Sequence, residues 1–297
     1  MALIPKLIDG ELITRYDVAG NQLTTYYGLD DPDAPQSLVD PTTPSGAQPL
    51  GVSGDYELTL SEEFNATMRV VDAATGHVKF RNSGGRWATW YPDWPRFNSQ
   101  SPGGNHTNTQ QGAAYQTSKV SVSGGVLRLA CDQQSSIAGL PYTAGMISSK
   151  DLLEQEYGAF EARLRIVGAR NSRHWPAWWM FNSVFNQWPP EIDVWELFGT
   201  AGEYLTNIYR PSPGGNEVGH NTFNDFGNFH TYGCRWTADA VTFYRDGVQT
   251  YEIDPSVSGP QFLVLNNGAE WPEGGSAPTG TMPVVEVEHV RAWALPE

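Results

Sequence analysis

Residues Glu191-Ile192-Asp193-Val194-Trp195-Glu196 put three carboxylates into one apolar, β-prone stretch directly after Trp188-Pro189-Pro190. Carboxylates are among the least buried side chains, and three crowded together repel one another unless protons, partners or a reacting molecule manage the charge. On an α-helix the second and third acids would lie about 200° and then a further 300° around the axis, at roughly 100° per residue, so a helix scatters them. On a strand Glu191 and Asp193 share a face, but Glu196 has the wrong parity. One extra residue near Val194-Trp195, a β-bulge, restores convergence, and bulges are frequent beside active sites because they re-aim side chains. The competing reading is an ordinary strand whose acids are simply solvated.

The rest of the chain supports a strand. Apolar and polar residues alternate in Tyr56-Leu58-Leu60, Lys119–Val122, Val126–Leu129, Phe160–Ile166, Val241–Tyr244 and Val284–Val290, with hairpin signals at Ser123-Gly124-Gly125 and Asp246-Gly247. Helical periodicity, internal repeats, heptads and nucleotide-binding glycine loops are missing, which predicts an all-β chain built as a two-sheet antiparallel β-sandwich. At 297 residues the chain is long enough for one large sandwich and a small appendage. Residues 1 to about 29 read as a β-meander with turns at Asp9-Gly10 and Gly20-Asn21, and the next stretch, with Pro32, Pro35, Pro41, Pro44 and Pro49, reads as a linker or a strap on the main domain. The expected division is therefore residues 1–51 as appendage and strap, and 52–297 as the main domain.

A net charge of -15 with no basic run opposes binding to nucleic acid phosphates or anionic membranes and favours a neutral ligand. No stretch approaches the roughly 18 to 20 apolar residues that cross a bilayer. The first residues, Met1 to Lys6 followed by Asp9 and Glu11, are not expected to act as a secretory leader. The expectation is extracellular action reached by another export route, by a processed form or on a viral particle. Cys131 and Cys234 are expected to be free, buried thiols.

Glu191-x-Asp193-x-x-Glu196 resembles the signature of glycoside hydrolase family 16 in its bulged form. The likeness extends in order through Tyr142–Lys150, Tyr157–Arg163, Trp175-Pro176-Ala177-Trp178-Trp179-Met180, Phe229–Trp236 and Thr242–Gly247, over roughly residues 55 to 293. The resemblance implies a curved jelly roll whose concave face is a substrate cleft. It also implies a retaining endo-hydrolase of internal β-glycosidic bonds in a polysaccharide, with Glu191 as nucleophile, Asp193 assisting and Glu196 as general acid/base. A β-1,3 or mixed-linkage β-1,3-1,4 glucan is the foremost substrate expectation, with a galactan or a bacterial surface glycan behind it. Two other classes stand beside the enzyme: a non-catalytic glycan-binding module on the same sandwich, and an attachment protein whose residues 1–50 dock on an assembly partner.

The chemistry suits the residues. A retaining mechanism needs an acid for the leaving oxygen and a nucleophile about 5 to 5.5 Å away. At that distance and an effective dielectric near 20, two negative charges repel by roughly 3 kcal/mol, enough to separate their proton affinities by about two pKa units. Tryptophans offer flat faces to pyranose rings, and Trp175, Trp179, Trp188 and Trp271 are the candidate sugar contacts, with Asn207 and His230 as polar ones. Trp195, inside the expected bulge, faces either the cleft or the rear layer. Many β-1,3-glucanases of the family carry a histidine on the strand after the acid/base, where this chain has Tyr204–Arg210, so Asn207 is expected to substitute. The segment Trp87 to Gly104, with Trp90, Trp94 and Arg96, is expected to rim the cleft. Catalysis is expected to need no cofactor. A structural calcium is common in the family, and Glu63 and Glu288 match its carboxylate positions, although calcium wants six or more oxygen ligands.

Overall fold

Strand alternation in the sequence becomes two stacked sheets in the computed structural model of the protein. It describes residues 12–16, 22–27, 38–65, 68–70, 78–80, 86–89, 113–137, 140–150, 152–182, 188–211, 215–270 and 282–296. One sheet orders its strands Met146–Ser148, Gln261–Ala269, His174–Asn182, Glu191–Glu196, Glu203–Arg210 and Gly215–Thr222, with Glu154–Gln155 also paired to Gln261–Ala269. The other runs Val248–Ile253, Val241–Arg245, His230–Trp236, Gly158–Val167, Val284–Ala294, Val126–Leu129 and Val120–Ser123, with Glu57–Glu62 also paired to Val284–Ala294. The protein is an all-β, antiparallel two-sheet sandwich. No helix among the described residues is long and apolar enough to cross a membrane.

The core lies between the sheets because each strand turns its alternate apolar residues inward. Phe160, Ala162, Leu164 and Ile166 of one sheet meet Trp178, Met180, Ile192 and Leu263 of the other. A second apolar cluster lies on the opposite face of the first sheet, where Ala177, Trp179, Phe181, Phe262 and Val264 pack against Ala113, Tyr115, Tyr142 and Ala144. These last residues belong to a small sheet of Ala113–Tyr115, Cys131–Ile137 and Leu140–Ala144. Both cysteines are buried and unpaired.

The hairpin signals hold. Val241–Arg245 pairs with Val248–Ile253 across Asp246-Gly247, both with positive φ (50° and 78°), as a tight turn matching the sheet's twist requires. Val120–Ser123 pairs with Val126–Leu129 across Gly124-Gly125. At the amino end Leu12–Tyr16 pairs with Gln22–Tyr27, the strands on either side of the expected Gly20-Asn21 turn. The expected partner strand Lys6-Leu7-Ile8 lies outside the described residues.

The described part of the proline-rich segment hydrogen-bonds to the sandwich. Val39 bridges to Ser61, the Asp40 amide donates to Ser61 Oγ at 2.8 Å, the Leu50 amide donates to Glu161 Oε2 at 3.2 Å, and the Trp293 indole donates to the Ala47 carbonyl at 3.0 Å. Nearby, Gly158 has φ +140°, and a Cβ there would lie 2.2 Å from the Trp293 carbonyl oxygen. Gly158→Ala is therefore expected to lower Tm by roughly 5–10 °C, since it combines a forbidden backbone region with a backbone clash. Calorimetry checks this, and a melt matching the wild type would contradict it.

Candidate active site

The strand Glu191–Glu196 changes register where parity requires. Toward His174–Asn182, Trp179 pairs with Asp193 and Trp178 with Trp195, so Val194 is the extra residue. Toward Glu203–Arg210, Asp193 pairs with Asn207 and Glu196 with Leu205, so Val194 and Trp195 together oppose Thr206. Val194 and Trp195 both join the inter-sheet core with Ile192. The bulge thus leaves Glu191, Asp193 and Glu196 on the other face, where Ala177, Trp179, Phe181, Asn207 and Tyr209 are their cross-strand neighbours.

Energetics decide which way Trp195 points. Burying an indole removes roughly 150–250 Å² from water, worth about 4–6 kcal/mol at 25 cal/mol/Å². Its buried N–H has no hydrogen-bond partner, a loss of about 1–3 kcal/mol. Burial wins, and the ring packs 5.6 Å from Tyr232 in the rear layer.

Each outer acid is held by an indole. Trp188 Nε1 donates to Glu191 Oε2 at 2.6 Å and Trp175 Nε1 donates to Glu196 Oε1 at 2.7 Å. Asn207 Nδ2 donates to the other Glu196 oxygen at 2.9 Å, so Asn207 does contact the trio. Glu191 is half-buried, while Asp193 and Glu196 are 3% and 8% exposed.

Burial pushes the Asp193 carboxyl well above the usual range, and the charges of Glu191 and Glu196 push it further; Asn207 opposes the rise. Glu196 is raised to about 7, by burial, against the Trp175 and Asn207 donors that favour its ionised form. Near neutral pH the trio therefore holds protons on some members while negative charge remains available on the cluster. Removing a donor must raise Glu196 further. Trp175→Phe is expected to move the basic limb of the kcat/KM pH profile upward by about one unit; an unmoved or lowered limb would contradict the donor's effect.

Tyr209 escaped the sequence reading, although it shares Asn207's parity on the same strand. It pairs with Glu191, its ring lies 5.5 Å from Trp188, and its phenol is raised by burial and then by all three carboxylates. Phe198, two residues past Glu196, was also missed; it packs 5.2 Å from Trp175. Period 2 would have found Tyr209, whereas Phe198 lies beyond the strand.

Other expected contacts fall differently. Trp188 is an open aromatic at 37% exposure, but Trp179 is 7% exposed, with its N–H on Asn266 Oδ1 at 2.7 Å. Trp271, Trp90, Trp94 and Arg96 lie outside the described residues. The assignment of His230 to substrate is corrected: it lies on the other sheet, with Nδ1 2.6 Å from Asp246 and Nε2 3.0 Å from Asp225.

The two acids expected to hold calcium are each paired with an arginine. Arg291 grips both oxygens of Glu63, at 2.8 and 2.9 Å, and Glu288 pairs with Arg163. Glu288 is the unpaired residue where Val284–Ala294 slips register against Gly158–Val167, which points it to that arginine. Among the described residues no group of three or more His, Cys, Asp or Glu is gathered for a metal, so these acids do not fit a calcium site.

Comparison with known proteins bears on this geometry. A sequence profile of glycosyl hydrolases family 16 matches residues 107–268, more than half of the chain. The chain belongs to glycosyl hydrolase family 16. Endo-1,3-1,4-beta-glycanase ExsH of Rhizobium meliloti (strain 1021) is 27% identical over 254 residues, covering 80% of this chain and 51% of that protein. Glucan endo-1,3-beta-glucosidase A1 of Niallia circulans is 26% identical over 332 residues, covering 92% of this chain and 43% of that protein. The chain thus spans about half the length of the curated relatives it matches. In fold, this family 16 chain is similar to the catalytic domain of an endo-1,3-beta-glucanase (laminarinase) from Thermotoga petrophila RKU-1, with TM-score 0.62 and 21% identity over 81% of this chain and 98% of that one.

Proposed function

We propose that the protein is a retaining endo-glycosidase that hydrolyses internal β-glycosidic bonds of a neutral polysaccharide, a β-1,3 or mixed-linkage β-1,3-1,4 glucan foremost. The observation that carries this is the bulge, which turns three carboxylates to one face; burial there raises the Glu196 carboxyl to about 7. Glu196 donates its proton to the glycosidic oxygen as that bond breaks, and Glu191 attacks the anomeric carbon, forming a glycosyl ester. Asp193, kept protonated by its surroundings, hydrogen-bonds Glu191 and keeps negative charge on the nucleophile. Once Glu191 is esterified its charge is gone, the repulsion on the buried cluster weakens, and the acid/base carboxyl loses its proton more readily. Ionised Glu196 then takes a proton from water, whose oxygen attacks the anomeric carbon as its bond to the Glu191 oxygen breaks, which frees the carboxylate. All these steps use the chain's own side chains.

The names of the relatives support a β-glucan as substrate, and the net charge of -15 supports a neutral polymer over a sulfated one. Trp175, Trp188 and Asn207 are the proposed sugar contacts. Residues 1–51 are proposed as an appendage and strap to a catalytic domain of residues 52–297, with extracellular action and attachment to an assembly partner through residues 1–50. Digestion of a glycan panel with product sizing tests the function. Shortened oligomers from a β-glucan are expected; cleavage confined to a galactan or a bacterial surface glycan would move the substrate, and retained binding without cleavage of any polymer would overturn the enzyme.

A further inference from the structure

We infer that Phe198 and Trp175 together form the platform for the departing sugar, the residue on the leaving-group side of the cleaved bond, and that Phe198 sets the preference for that sugar; this rests on the hydrolase reading above. Past Glu196 the chain stays tied to the neighbouring strand: the Leu197 amide donates to the Pro176 carbonyl at 3.1 Å and the Gly199 amide to the His174 carbonyl at 2.7 Å. Those bonds hold Phe198 against Trp175, with ring centroids 5.2 Å apart and planes tilted by 32°.

Phe198 is 37% exposed, one of few large apolar side chains left so open among the described residues. Phe198 and the indole that holds Glu196 thus offer an apolar surface beside the acid, of the kind that lines ligand sites. Trp175 is fixed to the acid itself through its N–H on Glu196 Oε1. The opposite flank of the trio carries its own aromatic pair, Trp188 and Tyr209, against Glu191. Glu191 marks the anomeric carbon under attack and Glu196 marks the glycosidic oxygen. The surface beyond Glu196, away from Glu191, therefore faces the ring attached through that oxygen. Two aromatic faces there suit a neutral pyranose with an apolar C–H face.

The test compares two substrates with the same glycone: a β-glucan oligosaccharide, whose leaving group is a sugar, and the matching glycosyl fluoride, whose leaving group cannot stack. Phe198→Ala in the full chain is expected to lower kcat/KM on the oligosaccharide about tenfold more than on the fluoride. Phe198→Tyr should keep the wild-type ratio. Phe198→Leu, which keeps an apolar side chain for folding, should show the same selective loss as Ala. Equal losses on both substrates, or no loss on either, would overturn the platform while leaving the hydrolase standing. A wild-type protein that cleaves neither substrate and no polymer of the glycan panel would remove the hydrolase reading and the platform with it.

Discussion

Glu191→Ala is expected to abolish turnover of the polymer, by on the order of 10⁴-fold or more, while the protein stays folded. On the proposed mechanism no glycosyl ester forms without this carboxylate. Folding should be spared because Glu191 is half-buried on the face away from the inter-sheet core. Its charge also raises the Asp193 carboxyl, so its removal relieves repulsion inside the site, and Tm should match or exceed that of the wild type. Turnover together with a thermal melt checks both halves. A variant retaining even a hundredth of the activity would remove Glu191 from the nucleophile's role.

Glu196→Gln should separate leaving-group chemistry from nucleophilic attack. Loss on the polysaccharide is expected on the order of 10²–10⁴-fold, the usual scale for general acid catalysis. The loss should shrink on a glycosyl fluoride, whose departure needs less protonation. The wild-type basic limb, expected near 7 from the raised Glu196, should vanish in the variant. Stability follows the same proton. A carboxyl raised in the folded state from 4.5 to about 7 gives its full stabilisation below 4.5 and loses it as pH rises through 7. Glu196→Gln should therefore melt a few degrees above the wild type at alkaline pH, and the two should converge below pH 4.5. Identical melts above pH 7 would mean that burial does not raise this carboxyl.

Parity made most of this legible. The strands and hairpins follow from period-2 alternation and from Asp246-Gly247, and the bulge follows from Glu196 having the wrong parity for Glu191 and Asp193. Parity fails inside the bulge, where two successive residues face the same way, so the direction of Trp195 waited for the register. Long-range pairing was hidden as well. Nothing local to Glu63 or Glu288 shows that Arg291 and Arg163 lie opposite them, and nothing local to His230 shows Asp225 and Asp246 at its two ring nitrogens. Phe198 gained its meaning only once the backbone beyond Glu196 was seen to run beside Trp175.

The central claim is that the bulge brings Glu191 and Glu196 to bear on one anomeric carbon by double displacement. Proton NMR of the first product formed from a β-linked glucan oligomer, recorded before mutarotation, tests it most directly. A β-anomer at the new reducing end is the expected result; an α-anomer would show single displacement by water and contradict the account.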